Sequence, residues 1–201
     1  LADIQYNFIN LPSRIEFENG HVISYLYDAD GIKLRTTHII GSDTTVTDYC
    51  GNVIYENGIP VKLLTEAGYV TLADSKYHYF VQDHLGNNRV VVDQSGNVEE
   101  VNHYYPFGGL LSSSVSNAVQ PYKYNGKELD RKNGLDWYDY GARMYDAALG
   151  RWHAVDPMSE KYYSISSYVY GLNTPHNCID PDGQKLSLIH ISEPTRLQLI
   201  S

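Results

Sequence analysis

A mainly β fold, built of hairpin repeats and followed by a denser C-terminal block with short helices, is predicted by three features of this sequence. Tyrosine stands at 19 positions against 4 Phe and 2 Trp, beside 16 Gly and only 2 Met, a composition suited to strands and turns. Acidic-to-glycine turn signals punctuate the first half. Between them, aromatic and β-branched residues recur with the period of two that places side chains on one face of a strand.

The turn signals run Glu18-Asn-Gly20, Asp28-Ala-Asp-Gly31, Asp48-Tyr-Cys-Gly51, Glu56-Asn-Gly58, Glu66-Ala-Gly68, Asp83-His-Leu-Gly86 and Asp93-Gln-Ser-Gly96. The intervening runs, among them His21–Tyr27, Val53–Tyr55 and Asn88–Val92, read as strands of about 4 to 8 residues joined by hairpins. Tyrosines two apart (Tyr25/Tyr27, Tyr77/Tyr79, Tyr122/Tyr124, Tyr138/Tyr140, Tyr168/Tyr170) are expected to share a strand face. A degenerate period of roughly ten or twenty residues marks an elongated sheet of stacked hairpins, each burying its face against its neighbours. Gly108-Gly-Leu-Leu-Ser-Ser-Ser114 then forms a loop ahead of a denser block, residues 121 to 183. Lys127 to Asp130 and Tyr162 to Tyr170 are the best short helices there, because Gly and Asn interrupt every longer pattern.

Charge and composition exclude several function classes. Fifteen Lys and Arg against 24 Asp and Glu give a net charge of −9, which disfavours nucleic acid as a partner, since phosphate neutralisation needs clustered cations. No apolar run approaches the roughly 18 residues of a membrane-spanning helix. Cys50 and Cys178 permit one disulfide at most. His176-Asn-Cys178-Ile-Asp180 lacks a second ligand pair at zinc spacing, and Gly126-Lys127 lacks the upstream glycine of a phosphate loop. No metal and no cofactor is expected. His84 and His103 read as hydrogen-bonded structural residues, and the first residue, Leu1, reads as the start of a piece cut from a longer protein.

The tract Tyr79-Phe-Val-Gln-Asp-His-Leu-Gly-Asn-Asn-Arg-Val90, followed by Tyr104-Tyr-Pro-Phe-Gly108 and Tyr124-Asn-Gly-Lys-Glu-Leu129, closely resembles the Rhs repeat-associated core domain. Gly141-Ala-Arg-Met-Tyr-Asp146, Leu149-Gly-Arg-Trp152, Val155-Asp-Pro157, Tyr168-Val-Tyr170, Asn173-Thr-Pro175 and Ile179-Asp-Pro-Asp-Gly183 continue the family's order. The resemblance covers about residues 77 to 184. Upstream, residues 1 to 76 look like degenerate YD-type repeats of the same proteins, as at Tyr27-Asp-Ala-Asp-Gly31. It implies a fragment of a spiral β shell, or cocoon, followed by a compact Rhs-core plug with short helices that closes its end, from a bacterial polymorphic toxin, secreted or carried at the cell surface. The implied partners are the rest of the Rhs shell, a C-terminal toxin domain absent from this chain, and an immunity protein for that toxin.

The same resemblance maps Asp156 and Asp180 onto an aspartyl self-cleaving centre that frees the toxin, with the cut after Gln184, between it and Lys185. Two carboxylates held together cannot both ionise cheaply, so one keeps a proton and polarises the scissile carbonyl while the other activates water. Arg151 is the candidate to orient a carboxylate bidentately. Asp-Pro-x-Gly is equally a favoured type I turn, and Gln184 stands where many self-cleaving relatives carry Leu.

Residues 185 to 201 are set apart as a non-native tail, because Leu186-Ser-Leu-Ile-His-Ile-Ser-Glu-Pro-Thr-Arg196 looks like a translated sequencing-library adapter. Its other reading is a short edge strand. A second function class stays open beside the toxin shell: a non-catalytic surface module whose tyrosines, Tyr25 and Tyr27 foremost, stack on glycans or serve adhesion.

Overall fold

The computed structural model describes residues 1–112, 114–116, 120–161, 163–184 and 187–188. Twelve strands form one antiparallel sheet in simple sequence order: β1 (Asp3–Tyr6), β2 (Pro12–Glu16), β3 (Val22–Tyr27), β4 (Lys33–Ile40), β5 (Asp43–Cys50), β6 (Val53–Glu56), β7 (Ile59–Thr65), β8 (Gly68–Thr71), β9 (Lys76–Gln82), β10 (Asn88–Asp93), β11 (Val98–Val101) and β12 (Val115–Ser116). From β1 to β11 each strand pairs with the next through a short turn, so the wall grows one hairpin at a time, and β12 pairs with β11 after the longer connection 102–114. The hairpin reading of the sequence is met strand by strand, and the sheet runs on through β9 to β12.

One turn chemistry recurs in this wall. Asp28, Asp83 and Asp93 each accept, on Oδ1, the N–H groups two and four residues on, at 2.8 to 3.1 Å. The glycine three residues after each aspartate sits at φ of 84°, 75° and 84°, the left-handed region that glycine enters without a Cβ penalty. Asn7 makes the same turn, receiving Ile9 and Leu11 N–H groups, with Asn10 at φ 61° in the glycine's place. Asparagine tolerates that region, which is why an Asp-to-Gly search of the sequence passes over it.

A second sheet of four strands makes the plug: β13 (Glu128–Asp130), β14 (Trp137–Asp139), β15 (Met144–Asp146) and β16 (Arg151–Trp152). A third pairing joins β17 (Cys178–Ile179) to β18 (Ser187–Leu188), with Cys178 opposite Leu188. Two residues of the tail set apart above therefore take the edge-strand position, while residues 189–201 lie outside the described residues. The helices in the described plug are single 3-10 turns at Tyr124–Gly126, Lys132–Gly134, Ser159–Lys161 and Gly171–Asn173.

Both helix expectations are corrected. Residues 128–130 pair with β14 as strand β13, because alternation of Leu129 into the core and its neighbours outward satisfies the pleat. The described residues from 163 to 170 form turns and one bridge, Val169 to Arg151. Tyr170 is buried there while Tyr168 is 45% exposed, so that pair shares no face.

Two aromatic clusters hold the parts together. Tyr124, Leu129, Tyr138, Tyr140, Tyr145, Trp152 and Tyr170 form the plug's own core, with Tyr145 and Tyr170 stacked at 4.1 Å and Tyr140 edge-on to Trp152 at 5.0 Å. Ile15, Ile23 and Tyr25 of the wall pack with Leu135, Trp137 and Met144 of the plug in the second. Polar bridges cross the same seam: Lys33 Nζ to Glu128 and Asp139 at 2.7 and 2.6 Å, Tyr25 Oη to Asp130 at 3.0 Å, His38 Nε2 to Asp130 at 2.9 Å. Tyr25 and Tyr27 thus face the plug, and the exposed ring pair of the wall is Tyr77 and Tyr79. Cys50 is an exposed free thiol and Cys178 a buried one, with no bond between them.

Candidate functional site

Asp156 and Asp180 lie in two turns of related chemistry. Asp156 Oδ1 accepts Met158 N–H at 2.7 Å, and Ser159 N–H bonds to the Asp156 carbonyl at 3.0 Å. Asp180 Oδ1 accepts the Gln184 N–H four residues on at 2.9 Å, with Gly183 at φ 76°, the wall's Asp-x-x-Gly turn used once more. Each carboxylate therefore spends one oxygen on its own turn and turns the other across the fold.

Those second oxygens converge. Oδ2 of Asp156 and Oδ2 of Asp180 each lie 3.0 Å from the same nitrogen, Nη2 of Arg143. Arg143 precedes β15, is 2% exposed, and is fixed by Nε donating to Gly183 O at 2.6 Å and Nη1 donating to Ser167 O at 3.0 Å. Its guanidinium carbon stands 4.2 Å from the Trp152 ring centroid. Burial pulls the guanidinium below its ordinary value, and the two carboxylates oppose that pull. A Cβ on Gly183 would stand 3.1 Å from Arg143 N and 3.4 Å from Tyr140 Cβ, so space as well as backbone conformation demands glycine there.

The sequence pairing of Asp156 with Asp180 is met in space, but the arginine between them is Arg143. Arg151 is exposed and its Nη1 reaches Asn173 Oδ1 at 3.4 Å, which corrects its expected place beside a carboxylate. The turn after β16 carries Asp156 to the guanidinium just ahead of β15, not to the side chain that opens β16 itself. Arg143 stood inside the quoted Gly141-Ala-Arg-Met-Tyr-Asp146 motif; the signal for it was a cation immediately ahead of the apolar Met144 and Tyr145. Gln184 N–H also approaches Asp182 Oδ1 at 3.1 Å. Lys185 lies outside the described residues.

A cavity of ≈ 20 Å³ is lined by Arg143, Asp156 and Asp180 together with Ser159, Ser166 and Val169, room for about one water with several polar partners. Asp156 also borders, with Gln184, a groove of ≈ 680 Å³ walled by Leu11, Ile32, Tyr140 and Val155. Both carboxylates thus flank one water-sized space, and the residue before the expected cut opens onto a groove between wall and plug.

Residues 63–175, more than half of the chain, match the family described as Teneurin YD-shell. Over 197 aligned positions the chain is 32% identical to Salivary gland surface protein 1 of Aedes aegypti, covering 86% of this chain and 6% of that protein. It is 28% identical to the tRNA3(Ser)-specific nuclease WapA of Bacillus spizizenii over 176 positions, 85% of this chain and 7% of the relative. Toxin subunit YenC1 of Yersinia entomophaga is 29% identical over 154 positions, 68% of this chain and 15% of the relative. The fold is similar to that in the crystal structure of TcdB2-TccC3-Cdc42, with a TM-score of 0.76 at 20% identity over 90% of this chain and 10% of that one. The chain spans between 6% and 15% of the lengths of these curated relatives.

Proposed function

The chain belongs to the Teneurin YD-shell family, and from that premise we propose that it forms the closing end of a toxin-carrying shell and cuts itself at the Asp156–Asp180 centre. In this reading residues 1–76 are the last wall repeats, residues 77–184 are the core that seals them, and the cargo follows Gln184. The protein would act outside the producing cell, where such a shell delivers its content, with an immunity protein guarding the producer. A sheet that adds hairpin to hairpin and carries its own plug suits encapsulation, since closure leaves no strand edge open and keeps a passenger from its surroundings.

The observation that carries the cutting step is the shared nitrogen. Arg143 draws both carboxylates to one guanidinium nitrogen beside the same water-sized space. Arg143 Nε on the Gly183 carbonyl and Asp180 Oδ1 on the Gln184 N–H pin the chain at two points immediately before the bond to be cut. In the proposed step one carboxylate takes a proton from a water as its oxygen attacks the Gln184 carbonyl carbon. The C–N bond to Lys185 then breaks, and the proton passes to the departing amine.

The test is the intact mass of the expressed chain. A product ending at Gln184 is expected for the unaltered protein, and the uncut parent for Asp180→Asn and Asp156→Asn. An unaltered protein that stays whole removes the cutting step and leaves the paired aspartates as a buried structural lock. A glycan-binding surface would have to use Tyr77 and Tyr79, because the plug covers Tyr25 and Tyr27.

A further inference from the structure

Where the wall hands over to the plug, four polar side chains are sealed from solvent: Glu100, Asn102, Gln120 and Lys123, none more than 3% exposed. Glu100 lies on β11 opposite Val91 of β10. Its Oε1 receives three nitrogens at once, from Lys123 Nζ, from Asn102 Nδ2, and from Gln120 Nε2 at 2.9 Å. Asn102 Nδ2 also reaches the Asn88 carbonyl at 3.1 Å, while Asn102 Oδ1 is buried with no hydrogen-bond partner.

An amine, a carboxyl and a carboxamide gathered by hydrogen bonds to one buried oxygen are the three groups an amide exchange requires. A sealed ammonium–carboxylate pair is costly to keep ionised, and moving one proton from Lys123 to Glu100 removes both charges. Burial already pulls the Lys123 amine below its ordinary value. The carboxamide's oxygen and nitrogen are equivalent in shape. Turned over, Asn102 gives up its Nδ2 bond to the Asn88 carbonyl and presents its unpartnered Oδ1 to a protonated Glu100, which then donates to it.

We propose that Lys123 Nζ and Asn102 Cγ become joined by an intramolecular isopeptide bond, with Glu100 as the proton shuttle. The Lys123 ammonium gives a proton to Glu100 and becomes a neutral amine. Glu100 donates a hydrogen bond to Asn102 Oδ1 and polarises the carbonyl, and the Nζ lone pair attacks Cγ. The tetrahedral adduct collapses as the Cγ–Nδ2 bond breaks, Nδ2 takes the second amine proton through Glu100, and ammonia leaves. No electron donor or acceptor is needed, and the product leaves no buried ammonium. The bond ties the end of β11 to the strand of chain entering the plug, closing the intervening loop covalently, which shrinks the unfolded ensemble as a disulfide does.

Peptide mass spectrometry of the purified 201-residue chain tests this. A branched peptide joining Asn102 to Lys123, in a protein lighter by one ammonia than its sequence, is expected. The branched peptide decides, because Asn–Gly sites such as Asn125-Gly126 and Asn133-Gly134 also shed ammonia as succinimides. Glu100→Gln and Lys123→Arg are each expected to lose the branched peptide entirely while keeping the near-ultraviolet signal of the plug's tyrosines. Asn102→Asp, nearly isosteric, is expected to form the same link with loss of water, which holds the idea to account should Glu100→Gln fail to fold. Unlinked peptides from the folded, unaltered protein overturn the proposal, and an undiminished link in Glu100→Gln overturns the role of Glu100.

Discussion

Arg143 is the residue whose removal should cost most. It compensates two carboxylates in a nearly solvent-free site, so Arg143→Met strands uncompensated negative charge and is expected to destabilise by about 3–5 kcal/mol, read from the urea midpoint. Asp180→Asn in the same background should recover part of that loss, because it removes one stranded charge. Asp130 offers a pH signature. Burial works to raise its carboxyl, but the His38 hydrogen bond and charge outweigh burial and hold it below its ordinary value. A depressed carboxyl contributes stability that is present above the unfolded value of about 4 and is lost as pH falls through the folded value. Stability measured from pH 6 downward should therefore fall in the acid range, and Asp130→Asn should flatten that fall. At this scale the aspartates were legible through the family resemblance, since their Asp-Pro setting alone reads as a turn. The arginine was legible only as part of a motif, since nothing local distinguishes Arg143 from Arg151 until the strands are paired.

Among the elements, β8 carries the tightest constraint. A Cβ on Gly68 would meet the His78 carbonyl oxygen at 2.0 Å and Tyr79 Cα at 3.0 Å, both backbone atoms of the paired strand β9. Gly68→Ala must push β8 and β9 apart, and a loss of about 3 kcal/mol is expected, seen as a lowered thermal midpoint; Gly58→Ala, whose Cβ meets nothing within 4 Å, should cost less, through its left-handed backbone alone. Element boundaries in the wall were legible because Asp-x-x-Gly turns satisfy their own backbone groups and so announce themselves in sequence. Strand β13 was not. Lys127 to Asp130 has helix-forming residues, and only pairing with β14 makes it a strand, a case of tertiary context overriding propensity.

As a whole molecule, wall and plug share buried charge as well as apolar surface. Lys33 joins the β3–β4 hairpin to both Glu128 and Asp139, and although burial works against its charge, those carboxylates hold it well above its ordinary value. Wall and plug are therefore expected to melt in one transition by far- and near-ultraviolet dichroism. Lys33→Met should separate the two curves, with the plug's aromatic signal lost first. By itself the sequence determined the hairpin wall, most of the turns between its strands and the family, because these rest on period-two patterning and short motifs whose physics is local; it offered the aspartate pair only through the family resemblance. Only the tertiary structure decided that Arg143 joins the aspartates, that Tyr25 and Tyr27 face inward, and that Glu100, Asn102 and Lys123 meet. Those contacts join residues far apart in the chain or on separate loops, and their energy exists only once the plug is seated and water is excluded from the seam.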